Sequence, residues 1–142
     1  MTPNFTSRPW FSVATSWAGQ RIKPLAETLG AFAKLLAARK VRAIGASNLD
    51  AAQLYEALDL KAKGLPGYQV LQPEYNRYDR AALEGDLRYV CILSGLGVVT
   101  YFGLASGFLS RKYRTEADLT IAVRGKASGK YLTPRGRAIL AA

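Results

Sequence analysis

Histidine is missing from the 142-residue chain, and cysteine occurs once. The first absence excludes zinc sites built on His, Ser–His or Cys–His nucleophile pairs, and any imidazole acting as a general acid. The second excludes an internal disulfide framework. The lone thiol, Cys91, lies in the apolar run Tyr89–Leu93, where a small buried hydrophobe is the expected role. So sparse a use of cysteine points to a cytoplasmic location. No stretch approaches the roughly 18 uninterrupted apolar residues that a membrane-spanning helix needs. The apolar patch from Trp10 to Gly19 has only Arg8 before it, a weaker basic start and a shorter aliphatic run than a secretory leader carries.

Acidic charge is also scarce. Ten Asp and Glu stand against twenty Lys and Arg, for a net charge of +10. The excess is unevenly placed: residues 25–110 carry nine basic and eight acidic groups, whereas residues 111–142 carry eight and two. A basic segment attracts polyanions such as nucleic acid, anionic lipid or the phosphates of a dinucleotide. The plainer alternative is a solvated, poorly packed tail. Tyr113 and Tyr131 interleave with cations there, as in single-strand binders, but no nucleic-acid motif accompanies them, and nucleic acid is not the expected partner. About half of the chain is apolar, the composition of a soluble globular protein.

Periodicity divides the chain into an irregular segment, residues 1–23, then 24–114, then a basic segment, 115–142, holding the start of a helix. Pro3 and Pro9 interrupt the first. From Pro24, which suits a first helical position, Leu25, Leu29, Phe32, Ala33 and Leu36 recur at three- and four-residue steps and predict a helix to about Arg39. Val41–Gly45 reads as a strand. Asp50 and Gln53 have the spacing of a capping box, and a helix runs from there to about Lys63. Tyr68–Gln72 is a second strand, closed by Pro73. A helix over roughly Arg80–Ser94 and a third strand, Val98–Tyr101, follow, and Thr133–Pro134 begins another helix. Helices alternating with short apolar strands make the fold class α/β, with parallel strands and helical crossovers.

In such folds ligands gather at the carboxyl ends of strands. Those ends are Ser47-Asn48, Gln72 and Tyr101. Each has a plain local reading as helix cap, turn or core residue. Asp50 already supplies the better cap, and together the three ends suggest a surface that recognises an amide and offers a ring for stacking. The same residues carry a resemblance. Lys40-Val41-Arg42-Ala43-Ile44-Gly45-Ala46-Ser47-Asn48, Gln72-Pro73-Glu74-Tyr75-Asn76, and Gly97-Val98-Val99-Thr100-Tyr101 followed by Leu104-Ala105-Ser106-Gly107-Phe108-Leu109 resemble the fifth, sixth and seventh barrel strands of aldo-keto reductases, in order and at the right separation. The match covers residues 25–114.

The resemblance implies a partial (β/α)₈ TIM barrel holding about three of the eight parallel strands, and an ancestral NAD(P)H-dependent reduction of aldehydes or ketones. It implies that Ser47, Asn48 and Gln72 hydrogen-bond the nicotinamide carboxamide of NADP(H) and that Tyr101 stacks on the ring. Leu104, Ser106, Lys112 and, more weakly, Arg124 would lie along the pyrophosphate, which backbone N–H groups and a cation suit. The family's proton donor is a Tyr assisted by Lys, Asp and His from the first four strands. That half has no counterpart here: the chain has no histidine, and Ala14-Thr15-Ser16-Trp17 does not read as the end of a buried strand. No catalytic residue is therefore expected, and the chain reads as a truncated reductase, inactive by itself. The alternative is a non-catalytic NADPH-binding module, or a half-barrel that completes itself with a partner chain. With few strands, Val41, Ala43, Val70, Val98 and Thr100 are expected to lie open, which favours self-association or a complementary polypeptide.

Overall fold

The computed structural model describes residues 12–15, 23–121 and 125–142, the first group as backbone only. The described residues fall into two compact units, one formed by the chain up to Gln72 together with residues 86–99, the other by residues 73–85 and 100–142.

The first unit is α/β. Strands β1 (Ser12–Thr15), β2 (Ile44–Ser47), β3 (Val70–Gln72) and β4 (Gly97–Val98) form a parallel sheet in that order. Helices α1 (Leu25–Ala37), α2 (Ala51–Ala62) and α3 (Asp86–Leu93) are its crossovers. The expected parallel α/β pattern is present, with one strand more than periodicity indicates. β1 pairs with β2 from Ser12↔Ile44 to Thr15↔Ser47, inside the segment expected to be irregular. Four residues are too few for an alternation to show, and the neighbouring strand decides the conformation.

The strand positions also shift. Val41–Ala43 precede β2 rather than form it, and all four residues of β2 are buried. A central parallel strand covered on both faces has no polar side to alternate with, so Ile44-Gly45-Ala46-Ser47 carries no period-two signal. Of the residues expected to lie open, Val98 is 39% exposed and Thr100 is exposed, whereas Val41, Ala43 and Val70 are half-buried. Pro24 is the N-cap of α1 rather than its first residue. Asp50 and Gln53 form the capping box on α2 as expected: Asp50 Oδ1 accepts from Gln53 N at 2.8 Å and Gln53 Oε1 accepts from Asp50 N at 3.0 Å.

α3 starts six residues later than the apolar stripe suggests. Gly85 has φ +117, a conformation open to glycine and closed to a helix, so residues 81–85 form turns and only Asp86–Leu93 is helical. Leu29, Ile44, Leu54, Leu71, Val90 and Cys91, each no more than 2% exposed, anchor the core. At about 1.5–3 kcal/mol per fully buried aliphatic side chain, they are the main source of this unit's stability. Cys91 is the small buried hydrophobe expected, and burial pushes its thiol above the ordinary range.

The second unit holds half of the basic residues, and its described part is packed rather than a solvated tail. A 3₁₀ segment, Ala105–Ser110, is followed by α4 (Glu116–Ile121), α5 (Gly125–Ser128), a single 3₁₀ turn (Gly129–Tyr131) and α6 (Pro134–Ala141). Ala105, Phe108, Tyr113 and Tyr131 form its core, each at most 1% exposed, with Tyr78, Leu119, Leu132 and Leu140 packed on them. Phe108 and Tyr131 stack at 5.5 Å between centroids, and Tyr78 meets Tyr131 edge-on at 5.0 Å. The expected helix start at Thr133-Pro134 is present: Thr133 Oγ1 accepts from Gly136 N at 3.1 Å, and proline occupies the first turn. No helix among the described residues is long and apolar enough to cross a membrane.

Candidate cofactor site

The first unit brings Ser47, Asn48 and Gln72 together. The parallel register sets Ser47 opposite Gln72 at the carboxyl ends of β2 and β3. The Gln72 carbonyl then accepts twice, from Ser47 Oγ at 2.8 Å and from Asn48 N at 3.3 Å. Asn48 turns the chain out of the strand with φ +58, a left-handed conformation that Asn tolerates better than most residues. Its side chain is exposed and that of Gln72 is half-buried, whereas Ser47 is only 4% exposed.

These side chains divide the work unequally. Two amide groups at one strand edge offer both donors and acceptors, the complement of a carboxamide. The Ser47 proton is committed to the Gln72 carbonyl, so Ser47 fixes the spacing of the two strand ends and retains only acceptor capacity. The donor set therefore has the chemistry that a carboxamide needs.

Tyr101, Leu104, Ser106 and Lys112 belong to the second unit. Tyr101 forms a one-residue parallel bridge with Glu74 instead of ending a longer strand; its N–H donates to the Pro73 carbonyl at 3.1 Å and its carbonyl accepts from Tyr75 N at 3.2 Å. Its ring meets Phe102 edge-on at 5.0 Å. Leu104 is 63% exposed. Ala105, Ser106 and Gly107 run through successive positive φ values of 49, 57 and 96. Within that turn the N–H groups of Ala105 and Gly107 already donate to Phe102 and Leu104, so the loop offers an anion fewer backbone donors than a loop with all its N–H groups open. The Ser106 carbonyl accepts from the buried Ser128 hydroxyl at 3.1 Å, and Lys112 Nζ sits 5.0 Å from the Tyr113 ring centroid. Arg124 lies outside the described residues.

The second unit also contains a polar cluster that spacing alone does not single out. Asn76, 3% exposed, accepts through Oδ1 from the N–H groups of Tyr78 and Asp79, both at 2.8 Å. Asp79 Oδ2 receives the Tyr131 hydroxyl at 2.6 Å, Asn76 Nδ2 at 3.2 Å and Lys130 Nζ at 3.5 Å. Lys130 reaches Glu74 as well, at 3.4 Å. Burial works to raise the Asp79 carboxyl, but the bonds from Tyr131 and Asn76 and the Lys130 charge outweigh it and hold it below its ordinary range. Burial, then the bond to Asp79, pushes the Tyr131 hydroxyl up. The available signal was Asn76-x-x-Asp79, the spacing of a side-chain-closed turn; its partners lie about fifty residues on.

A family model for the aldo/keto reductase family matches residues 9–131. The chain belongs to that family. An NADH-specific methylglyoxal reductase of Escherichia coli is 34% identical over 94 residues, 63% of this chain and 27% of that protein. An aldo-keto reductase of Fusarium vanettenii is 36% identical over 90 residues, 63% of this chain and 24% of that protein. The matched part of this aldo-keto reductase chain thus spans about a quarter of the length of these curated relatives. Among solved structures, a candidate 2,5-diketo-D-gluconic acid reductase B is similar with a TM-score of 0.55 at 23% identity, covering 88% of this chain and 42% of that one. The α/β sheet and crossovers are those of a partial (β/α)₈ barrel. Members of the family generally use NAD(P)H.

Proposed function

We propose that this chain carries the nicotinamide-recognising side of an NAD(P)H-dependent reductase of aldehydes or ketones. The observation that carries the reading is the junction of β2 and β3, where the Gln72 carbonyl accepts from both Ser47 Oγ and Asn48 N and sets two amide side chains at one strand edge. When bound, the dinucleotide supplies the hydride. Asn48 and Gln72 hold its carboxamide, and Ser47 keeps those two in register. NADP(H) is the cofactor we favour, and the family resemblance assigns Tyr101 to its ring and Leu104, Ser106 and Lys112 to its phosphates.

In this reading the 142 residues alone do not complete the reaction. A positioned general acid contributes roughly 10²–10⁴-fold to such a step, and the chain has no histidine to stand in the family's proton-donating set. Carbonyl reduction therefore needs the barrel residues that pair with these, whether on a longer polypeptide or on a complementary chain. A calorimetric titration of NADPH into the monodisperse chain, with Gln72→Ala and Tyr101→Ala alongside, tests the reading. Saturable binding weakened in both variants, without turnover of an aldehyde, is the expected result. A folded chain that does not bind NADPH, or binds it equally well in both variants, overturns it.

A further inference from the structure

The second unit contains a cleft that takes no part in the proposed nicotinamide contacts. Its volume is about 370 Å³, and Arg111, Tyr113, Arg114, Leu132, Arg137 and Leu140 line it. The turn at 111–114 brings two of the guanidinium groups, and α6 brings the third with Leu140. Among the described residues no carboxylate lines the cleft and none of the three guanidinium groups makes a salt bridge, although Arg114 Nε donates to the Arg111 carbonyl at 3.4 Å and the Arg114 charge acts on Asp118. Of the two acids that follow in sequence, Glu116 does not line the cleft, and Asp118 directs its Oδ2 to the backbone N–H groups of Arg114 and Thr115 at 2.9 and 2.8 Å and to the Thr115 hydroxyl. The Tyr113 hydroxyl is buried and has no hydrogen-bond partner, a condition that few native buried polar groups show.

Three like charges around one concavity repel one another unless an anion separates them. Guanidinium forks match the oxygens of a phosphate two at a time, with more geometric specificity than lysine offers. The apolar side chains of Leu132 and Leu140 and the size of the cleft suit the organic body of a single small molecule. A nucleic-acid surface is expected instead to run as an open basic stripe with exposed aromatic rings, and Tyr113 and Tyr131 are both buried here.

We infer that this cleft binds the phosphate group of a small phosphorylated molecule, with Arg111, Arg114 and Arg137 as its ligands. Neither Ser47, Asn48 nor Gln72 takes part, so the site stands or falls independently of the nicotinamide reading.

The test titrates the full chain with inorganic phosphate, pyrophosphate and adenosine monophosphate, none of which carries a nicotinamide. A single-stranded oligonucleotide is run in parallel. The double variant Arg114→Gln/Arg137→Gln is compared with Lys40→Gln/Lys63→Gln, which removes the same charge at exposed positions of the first unit. Circular dichroism checks folding, and Arg137→Gln alone, at an exposed position of α6, replaces the pair if the pair unfolds. The expected result is saturable one-site binding weakened about tenfold or more in the cleft variant and unchanged in the control. Tighter binding of adenosine monophosphate than of phosphate marks an organic phosphate as the source, and equal binding marks the free ion. Equal weakening in both variants, absence of saturation, or a preference for the oligonucleotide with a steep salt dependence overturns the site.

Discussion

Tyr131 delivers its hydroxyl proton to Asp79 over 2.6 Å, joining residues 52 positions apart in the chain. The ring of Tyr131 is fully buried against Phe108, and Asp79 is held in its turn by Asn76. One bond thus ties the loop after β3 to the turn before α6. Tyr131→Phe keeps the ring and deletes the bond. Hydrogen bonds to charged groups contribute about 1.5–3 kcal/mol, and a loss in that range is expected in the urea midpoint of the second unit. An unchanged midpoint would show that Asp79 finds an equal partner in water.

The same pair sets an acid dependence. The Asp79 carboxyl is held below its ordinary value in the folded state, so the unfolded chain binds that proton more readily. Its contribution is fully present above the unfolded pKa of about 3.9 and is lost as pH falls through the lower folded value. Asp79→Asn removes this titration and Tyr131→Phe weakens it. Urea midpoints between pH 7 and pH 2 are expected to fall less steeply in both variants than in the parent chain. Superimposable acid limbs would place the pH dependence elsewhere.

Entry into α6 depends on two contacts that act differently. Thr133 caps the helix through Oγ1 and shares that oxygen with the Tyr78 hydroxyl at 3.1 Å. Thr133→Ala is expected to cost about 1 kcal/mol, the usual loss of a cap. Gly136 allows a closer approach: a Cβ there runs into the Tyr131 carbonyl and comes within 3.0 Å of the Phe108 ring. Gly136→Ala must therefore displace the turn that carries Tyr131, at about 3 kcal/mol, the upper end of overpacking costs. Thermal unfolding of both variants checks the order. If Gly136→Ala proves the milder change, the approach of α6 to that carbonyl is not as tight as described.

Asn48 permits a substitution test that separates backbone from side chain. Its φ of +58 is open to glycine and costs alanine about 1 kcal/mol. Asn48→Gly keeps that turn while removing one amide from the strand edge, and NADPH affinity is expected to fall by about tenfold, the worth of one well-placed hydrogen bond. Ser47→Ala should act mainly on stability. It removes the bond to the Gln72 carbonyl at a nearly buried position and lowers stability by about 1 kcal/mol, with a smaller effect on affinity. Paired urea titrations and calorimetry on the two variants distinguish recognition from support.

The capping box at Asp50 and Gln53, the cap at Thr133 and the burial of Cys91 were all legible, because each rests on residues within a few positions of one another or on a lone hydrophobe in an apolar run. The meeting of Ser47, Asn48 and Gln72 at neighbouring strand ends was legible for another reason: strand ends in a parallel sheet are where a β-to-α turn exposes side chains, and the motifs carried a family resemblance. β1 and β2 were harder. Their pairing joins Ser12 to Ile44, and nothing local in Ser12-Val13-Ala14-Thr15 announces a partner thirty residues away. The basic segment hid a core for a similar reason. Tyr113 and Tyr131 stand among lysines and arginines in sequence, yet both are buried in the fold, because folding places their rings against Phe108 and Tyr78 while the cations reach solvent by their long stems.

Cys91 offers a reporter of how firmly the first unit is closed. It is 2% exposed on α3 beside Val90, and burial raises its thiol, so both access and thiolate fraction oppose reaction with a disulfide reagent. Modification must wait for α3 to open, and in native buffer it is expected to run about a hundredfold or more slower than in urea. Val90→Ala removes two methyl groups at a position 1% exposed, for about 2 kcal/mol. If labelling passes through opening of the helix, that variant should react about ten to a hundred times faster while its rate in urea stays the same. If the parent chain already reacts in native buffer as fast as it does unfolded, α3 is not held on the sheet as described, and the strand edge that carries Gln72 loses the support it needs to hold a cofactor.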